Sequence, residues 1–173
     1  MMIEEKIKKQ LAILAAGIEV EKFGIEFYTR TSACVKDRNG ALLLRSLGED
    51  ERKHREYLET QMRRLAPALE PEIVEPEQKY ISRLPSEVFP LESGETCFAL
   101  EDEIRTLEIG IQVERSSVEM YTEAADLVTE PETREVLQRL VRWEQSHWNI
   151  LEENLHSLKR GGTWYGYVPI LDG

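Results

Sequence analysis

The chain has few of the residues that build cysteine-based sites or phosphate-binding loops. Only two of its 173 residues are cysteines, Cys34 and Cys97, and they form no Cys-x-x-Cys pair. Such pairs hold zinc ions and iron–sulfur clusters, so sites of those kinds are excluded. Disulfides are rare in cytosolic proteins, and we expect both cysteines to be small, half-buried apolar residues. The glycine pair Gly161-Gly162 lacks the Lys-Ser/Thr of a nucleotide-binding P-loop.

Positive charge and long apolar runs are also scarce. Lys and Arg number 22 against 33 Asp and Glu, which makes the formal net charge −11 at pH 7. Nucleic acids and anionic membrane surfaces attract basic faces, so neither is expected as a partner. No apolar run approaches the roughly 20 residues of a membrane span, and residues 1–10 lack a signal-peptide core. The sequence therefore predicts a cytoplasmic protein, long enough for one substantial hydrophobic core.

What the chain does contain is a constellation of four polar residues that occurs twice at a constant offset. The first copy is Glu21, Tyr28, Glu51 and His54, and the second, 93 residues further on, is Glu114, Tyr121, Glu144 and His147. Each copy reads as a glutamate, a tyrosine two turns later, and then a Glu-x-x-His pair. One glutamate and one Glu-x-x-His pair from each half are what a four-helix bundle uses to hold two metal ions in its core.

Apolar residues recur at alternating steps of three and four along four segments, which is the spacing of one buried helix face. These segments are predicted as helices over residues 3–35, about 41–66, about 95–128, and from Pro131 to the glycine pair at 161–162. Pro131 suits the first turn of its helix, and the glycine pair suits its end. The repeated acidic and imidazole residues stand where each apolar seam requires a core residue, so we expect them to be buried at one depth.

Residues 67–94 contain five prolines, which exclude a long helix. A helix of about 25 residues is roughly 37 Å long, and this segment can span that distance and return the chain to the opposite end. We interpret it as a long crossover between the second and third helices, with a short helical turn near residues 77–83. The predicted fold is an all-α, ferritin-like four-helix bundle over residues 1–160. An aromatic tail, residues 161–173, is expected to dock on the bundle or on a sister subunit.

Burying four ionised carboxylates without cations would cost several kcal/mol for each charge. A lone Glu-x-x-His pair is weak evidence of a site. Six ionisable side chains buried at one depth, however, indicate a metal centre. The predicted ligands are Glu21, Glu51, His54, Glu114, Glu144 and His147. Carboxylate-rich ligation with one imidazole for each ion suits iron or manganese. Two ions about 3.5–4 Å apart can activate one oxygen species between them.

Three neighbouring residues have predicted supporting roles. Tyr28 and Tyr121 are candidates to hydrogen-bond a ligand carboxylate or to pass an electron; the alternative is a core tyrosine with a satisfied hydroxyl. Asp50 is placed to orient a ligand histidine. Its counterpart in the repeat is Trp143, so that support is predicted to be asymmetric.

Small residues stand beside each single glutamate of the repeat. Gly17 and Gly110 precede these glutamates by one turn, and Gly24 and Ser117 follow them by three residues. Such residues open space for dioxygen or peroxide, or they allow two helices to approach closely. The sequence leaves both interpretations open.

Residues 17–28, followed by the Glu51 to His54 motif, resemble the rubrerythrin-like branch of the ferritin superfamily, and residues 110–121 with the Glu144 to His147 motif resemble it again. The likeness extends over all four helices. It implies a non-haem di-iron centre, oxidation of Fe(II) by dioxygen or peroxide, and a homodimer or higher homo-oligomer. It also implies that Glu51 and Glu144 bridge the ions. The remaining ligands then complete one ion each, Glu21 with His54 and Glu114 with His147.

The resemblance has two departures. Full-length rubrerythrins carry a rubredoxin domain with paired Cys-x-x-Cys motifs, for which this chain has neither the length nor the cysteines. They also carry an extra glutamate one turn after the third-helix ligand, where this chain has Ser117. The symmetric set that remains is closer to bacterioferritin-type ferroxidase centres. Any electron donor is then a separate protein or Fe(II) itself.

The leading hypothesis is a cytoplasmic non-haem di-iron oxidoreductase that oxidises Fe(II) with peroxide or dioxygen. Its cofactor would be two iron ions, although the ligands also suit manganese or a mixed pair. Three alternatives stay open. They are a ferritin-like iron-storage subunit, a di-iron oxygenase with an apolar pocket for an organic substrate, and a metal-binding bundle without turnover.

Overall fold

Four long helices form the body of the molecule, as the apolar pattern predicts. The computed structural model describes residues 5–85 and 102–165. The long helices are α1 (Glu5–Cys34), α2 (Arg38–Leu65), α4 (Glu103–Leu127) and α5 (Pro131–Lys159), and a short α3 (Gln78–Ile81) lies between the two pairs. Helix α1 packs chiefly against α2, and α4 packs chiefly against α5. The predicted all-α four-helix bundle, with its long connection between the second and third long helices, is confirmed.

The first helix pair is joined by a turn of only three residues, 35–37, so its two helices run antiparallel. Asp37 is the N-cap of α2: its side chain accepts hydrogen bonds from the backbone N–H groups of Asn39 (2.8 Å) and Gly40 (3.0 Å). Helix α2 therefore begins at Arg38, before the predicted start near residue 41. The boundary is set by the aspartate that satisfies the first free N–H groups and not by the first apolar residue.

The second helix pair begins with the same kind of cap. Asp102 accepts hydrogen bonds from the N–H groups of Ile104 (2.9 Å) and Arg105 (3.4 Å), so α4 begins at Glu103. The predicted start near residue 95 falls within residues 86–101, which lie outside the part of the chain that the structure describes. The next helix, α5, has Pro131 in its first turn, as predicted, and ends at Lys159. Gly161 follows with a φ of 74°, the left-handed conformation that terminates many helices.

The described part of the crossover is attached to both halves of the bundle. It contains a 3₁₀ helix (Pro71–Ile73) and α3, which lies where a short helical turn is predicted. The backbone N–H of Glu77 donates to the carbonyl of Ala12 on α1 (3.0 Å). Tyr80 is buried in the core, and two basic side chains pair with Glu123 on α4. Because exposed ion pairs contribute little, the buried tyrosine is the main anchor of this segment.

Two hydrophobic clusters fill the bundle on either side of a polar middle layer. Along α1, the first cluster ends at Val20 and the second begins at Phe27, so Glu21 lies between them. Along α5, Leu140 belongs to the first cluster and Leu151 to the second, with a Glu-x-x-His pair in between. A fully buried leucine contributes about 1.5–3 kcal/mol. The two clusters therefore hold the helices in place, and the backbone brings the polar layer into the interior.

The start of the aromatic tail docks on the bundle. Trp164 is buried, and its Nε1 donates a hydrogen bond to Glu103 Oε2 (2.9 Å). The indole ring lies against Gly40, where an added Cβ would be 2.6 Å from a ring atom, so only glycine fits at that position. The N–H of Tyr165 donates to Asn154 Oδ1 (2.7 Å). The rest of the tail, residues 166–173, lies outside the described residues.

One sequence-based expectation about the cysteines is wrong. Cys34 is half-buried, as expected, but it is disulfide-bonded and is not a free thiol. The physical reason is that a metal-binding Cys pair shows in local spacing, whereas a disulfide needs only that the fold bring two sulfur atoms together. Among the helices described, none combines the length and the apolar character that crossing a lipid bilayer would require.

Candidate metal centre

The structure brings all six predicted ligands together in the middle layer of the bundle. Each of the two antiparallel pairs supplies three of them: Glu21 from α1, Glu51 and His54 from α2, Glu114 from α4, and Glu144 and His147 from α5. All six are between 0% and 4% exposed. Burial of so many ionisable groups in one layer requires a compensating partner, since an isolated buried charge is strongly unfavourable.

These side chains form two overlapping groups. The His54 position consists of Glu21, Glu51, His54 and Glu144, and the His147 position consists of Glu51, Glu114, Glu144 and His147. In each group, one nitrogen or oxygen atom from every residue lies within 4.8 Å of the others. Glu51 and Glu144 belong to both groups, so they are the carboxylates that could bridge two ions.

Both imidazole rings present Nδ1 to the shared carboxylates. His54 Nδ1 is 3.2 Å from Glu144 Oε1 and 3.4 Å from Glu21 Oε2. His147 Nδ1 is 2.9 Å from Glu51 Oε1 and 3.3 Å from Glu144 Oε2. Each histidine therefore approaches a carboxylate of the opposite helix pair, which ties the two halves of the bundle together at this layer.

The residues present fit a pair of divalent cations. Four buried atoms of the cluster, Glu21 Oε2, Glu51 Oε1, Glu144 Oε2 and His147 Nδ1, lie within ion-pair distance of neighbouring ligands but make no hydrogen bond of suitable geometry within the described part of the chain. Leaving a buried polar atom unsatisfied costs about 1–3 kcal/mol, and more for a charged one. Metal ions would occupy those directions and offset the carboxylate charge. Carboxylate oxygens with one imidazole for each ion suit iron and manganese.

The carboxyl groups resist ionisation in the absence of cations. Burial, and then the charge of Glu144, raises the pKa of Glu114 to about 8. The same two causes raise the pKa of Glu21 and raise the pKa of Glu51 well above its ordinary value. Glu144 behaves in the opposite way: burial acts to raise its pKa, but the two histidines lower it well below the ordinary value. One carboxylate therefore stays ionised at the centre, while its neighbours hold protons that cations would displace.

The histidines are held in their charged form by the same carboxylates. Burial acts to lower the pKa of His54, but the charge of Glu144 and hydrogen bonds to Glu144 and Glu21 raise it to about 9. Burial also acts to lower the pKa of His147, but the charge of Glu114 and the hydrogen bond to Asp50 raise it well above its ordinary value. A bound cation requires a neutral imidazole, so metal binding would release these protons as well.

Comparison with known protein families shows which family the chain belongs to. The family model for rubrerythrin matches residues 12–155. The chain belongs to the rubrerythrin family. The matched span contains all six residues of the candidate centre, and the buried Glu/His cluster is compatible with the di-iron site that the sequence resemblance implies.

Solved structures share the fold of this rubrerythrin-family chain. A hypothetical protein from Pyrococcus furiosus aligns with a TM-score of 0.70 at 20% identity, over 90% of this chain and 93% of that one. A two-domain protein from Anabaena variabilis, with DJ-1/ThiJ/PfpI-like and ferritin-like domains, aligns with a TM-score of 0.64 at 14% identity. That alignment covers 96% of this chain and 40% of the other. The comparison with curated proteins yields no significant match.

The two predicted tyrosines lie against the ligands in this rubrerythrin-family bundle. The hydroxyl of Tyr28 on α1 donates to Glu114 on α4, and the hydroxyl of Tyr121 on α4 donates to Glu21 on α1. Burial, and then the charge of the carboxylate that each contacts, raises the pKa of both phenols well above the ordinary value. Each tyrosine is therefore a neutral donor that positions the single glutamate of the opposite half, and electron transfer through them stays a prediction.

The small residues beside the ligands serve close packing, which is one of the two roles that the sequence leaves open. An added Cβ at Gly24 would lie 2.9 Å from Glu51 Oε2, and one at Gly17 would lie 3.1 Å from Leu58 Cδ1. Ser117, which stands where rubrerythrins have an extra glutamate, donates its hydroxyl to the carbonyl of Val113 (3.1 Å).

The sides of the two histidine rings that face away from the candidate centre have different neighbours. His147 Nε2 is 3.4 Å from Asp50 Oδ2, the acceptor that sequence spacing predicts. His54 instead stacks on Trp143, with ring centroids 4.9 Å apart and ring planes 5° from parallel. Tyr57 contacts the same indole edge-on, with centroids 5.3 Å apart. Sequence reasoning missed this aromatic stack, although the signal was present: Trp143 is the repeat counterpart of Asp50.

Proposed function

We propose that this rubrerythrin-family chain is a non-haem di-iron oxidoreductase that oxidises Fe(II) with peroxide or dioxygen. The observation that carries the proposal is the pair of overlapping ligand groups that share Glu51 and Glu144. Membership of the rubrerythrin family supports the same assignment. Two ferrous ions held there would supply two electrons, the number that reduces hydrogen peroxide to water.

The protein's own residues would hold and shield these ions. Glu51 and Glu144 are placed to bridge the two positions, and one further glutamate and one histidine complete each position. Tyr28 and Tyr121 orient the two single glutamates through hydrogen bonds across the bundle. Because every ligand is buried, bulk water is kept away from the reacting ions. The carboxyl and imidazole protons that bound cations displace must leave the site, so ion binding is expected to acidify the medium.

The cavity beside the crossover gives no support to an organic substrate at the metal site. A cavity of about 330 Å³ lies between α1, α2 and the crossover, and residues such as Ile18, Glu59 and Val74 line it. None of the six ligands lines this cavity. An oxygenase that acts on an organic substrate needs an apolar cavity that reaches the metals, which this one does not do.

We also propose that the chain assembles as a homodimer or higher homo-oligomer and takes electrons from a separate donor or from Fe(II) itself. The assembly separates the oxidoreductase from an iron-storage subunit, because a dimer cannot enclose a mineral core. The solution mass from light scattering on the metal-loaded protein distinguishes the two.

The proposal is tested by metal content and turnover in wild-type protein and a Glu51→Ala variant. We expect near-stoichiometric iron or manganese, two ions for each chain, in anaerobically purified wild-type protein. Glu51→Ala removes a ligand common to both positions, so we expect both ions to be lost and the Fe(II) oxidation rate to fall to the background. Metal analysis and stopped-flow absorbance with peroxide and with dioxygen measure these outcomes.

Glu49→Ala is the matched control, because Glu49 is an exposed glutamate on the same helix that pairs with a surface arginine, Arg52. That variant should keep both its metal and its activity. Wild-type protein without iron or manganese, or Glu51→Ala with unchanged metal content, would contradict the proposal. Metal-loaded wild-type protein that does not oxidise Fe(II) would favour a bundle that binds metal without turnover.

A further inference from the structure

The candidate centre has an approximate two-fold symmetry that is broken on the outer sides of its two histidines. The repeat relates the six ligands to one another, and it also relates the cross-bundle hydrogen bonds of Tyr28 and Tyr121. The exception is Asp50 on α2, whose counterpart on α5 is Trp143. Each of these two residues directly contacts the ligand histidine of the opposite helix pair.

At the His147 position, a carboxylate faces the outer ring nitrogen. Asp50 Oδ2 is 3.4 Å from His147 Nε2, and the Asp50 side chain is 13% exposed. Its other oxygen, Oδ1, pairs with the exposed ammonium group of Lys53 (3.0 Å). A carboxylate at this place keeps the proton of a neutral imidazole on Nε2 and leaves the Nδ1 lone pair for the metal. It also makes Nδ1 a stronger donor, because the carboxylate stabilises positive charge on the ring.

At the His54 position, an aromatic face takes the place of that carboxylate. The imidazole stacks on Trp143 in a nearly parallel arrangement, and Tyr57 packs edge-on against the indole. Tryptophan has one N–H donor and no acceptor, so it holds the ring by packing but cannot accept a proton from His54 Nε2. Among the residues that the structure describes, the carboxylates near His54 all approach its inner nitrogen, Nδ1.

We propose that the two metal positions are inequivalent, and that the His147 position binds the first divalent ion more tightly because Asp50 positions its histidine. The inference rests on the proposed two-metal site and adds to it the order in which the two positions bind divalent ions. Partners of this kind typically change metal affinity by 10–100-fold. We therefore expect the two dissociation constants to differ by roughly that factor.

The test is an anaerobic titration of metal-free, full-length protein with Co(II), followed by d–d absorption and calorimetry. The wild-type protein should bind two ions in separate steps. Crystals loaded with one equivalent of Co(II), measured at the cobalt absorption edge, should show anomalous density at the His147 position. Neither readout depends on turnover.

Three variants separate positioning from general damage. Asp50→Asn keeps the size of the side chain and removes its charge, so the first step should weaken roughly tenfold while the second is unchanged. Trp143→Asp provides His54 with a matching carboxylate, so the second step should tighten toward the first. Trp143→Phe keeps an aromatic ring at the stack and should leave both steps as in the wild type. A merely structural defect would weaken both steps together, and circular dichroism verifies the helix content.

Two equal steps in the wild-type protein, first occupancy at the His54 position, or an unchanged first step in Asp50→Asn would each overturn the inference. These outcomes are distinguishable from failure of the proposed function. Two unequal cobalt steps in a protein that does not oxidise Fe(II) would support the inference and reject only the oxidoreductase. Two equal cobalt steps in a protein that oxidises Fe(II) would support the oxidoreductase and reject the inference that the two metal positions are inequivalent.

Discussion

At the scale of single residues, Gly24 on α1 lies against Glu51, one of the two carboxylates common to both candidate positions. A Cβ at this position would lie 2.9 Å from Glu51 Oε2, a separation that real Cβ atoms essentially never show. The clash is with the end of a flexible side chain and not with backbone, so the carboxylate can move while the helices stay in place. The absence of one methyl group on α1 therefore decides where a carboxylate on α2 can rest.

We predict that Gly24→Ala weakens metal binding roughly tenfold, because the added methyl group displaces the Glu51 carboxylate. Substitutions beside a ligand that disturb its orientation typically cost 10–100-fold in metal affinity. The free energy of unfolding of the metal-free protein should stay the same or rise, because alanine is favoured over glycine in helices by about 0.5–1 kcal/mol. Cobalt titration and urea unfolding measure the two effects. Ser117→Ala is the control at the repeat counterpart: it already has a Cβ there, and its metal affinity should match the wild type. Wild-type affinity in Gly24→Ala would show that the contact does not constrain Glu51.

At the scale of elements, the long helices begin in different ways although the halves are repeats. Asp37 caps α2 and Asp102 caps α4 through side-chain hydrogen bonds to free N–H groups. Glu130, at the same place before α5, makes no such bond, and Pro131 begins that helix with a residue that has no N–H to satisfy. The helix starts are therefore determined locally, and they set the register that brings each Glu-x-x-His pair into the middle layer.

We predict that Asp37→Ala lowers the free energy of unfolding by about 1 kcal/mol, the usual loss when a capping side chain is removed. Glu130→Ala should change it by much less, since its side chain makes no capping bond. Urea denaturation of both metal-free variants, followed by far-ultraviolet circular dichroism, provides the comparison. Equal losses in the two variants would mean that the cap of α2 is not what stabilises its first turn.

At the scale of the whole molecule, a chain with a net charge of −11 buries four glutamates and two histidines in one layer. Without cations, the folded state holds protons that the unfolded state would release. The pKa of Glu114 is about 8 against an ordinary 4.5, and the pKa of His54 is about 9 against 6.5. In both cases the folded pKa is the higher one. The stability linked to Glu114 is therefore lost as the pH rises from about 4.5 through 8, and that linked to His54 as it rises from about 6.5 through 9.

We predict that the thermal unfolding midpoint of the metal-free protein falls between pH 6 and pH 9. Glu144, whose pKa is lowered, contributes in the opposite sense but only below its ordinary range, outside this window. Iron or manganese should remove most of the fall, because bound ions displace the same protons. Glu114→Gln lacks one of the titrating groups and should show a shallower fall. If the unfolding midpoint of the metal-free protein rose across this range, the folded state could not bind more protons than the unfolded state, and the prediction would be contradicted.

Much of the candidate centre could be predicted from the sequence, because periodicity reports which side of a helix faces the core. Glu21 and Glu51 interrupt apolar seams, and their counterparts do so at the same offset, so their burial follows without knowledge of the packing. The start of α4 could not be predicted in the same way. The apolar pattern continues upstream of Asp102, but the capping hydrogen bonds of that aspartate begin the helix at Glu103.

The helical bundle, the six ionisable residues of its middle layer and their family could all be predicted before the packing was known. These follow from local spacing and from an exact repeat of residue types. The packing of the helices was needed to show that Gly24 leaves room for the Glu51 carboxylate, which of the two histidines Asp50 contacts, and that Trp143 stacks on His54. Each of these is a contact between different helices, and its geometry depends on how closely two surfaces pack. One-dimensional periodicity carries no information on that distance.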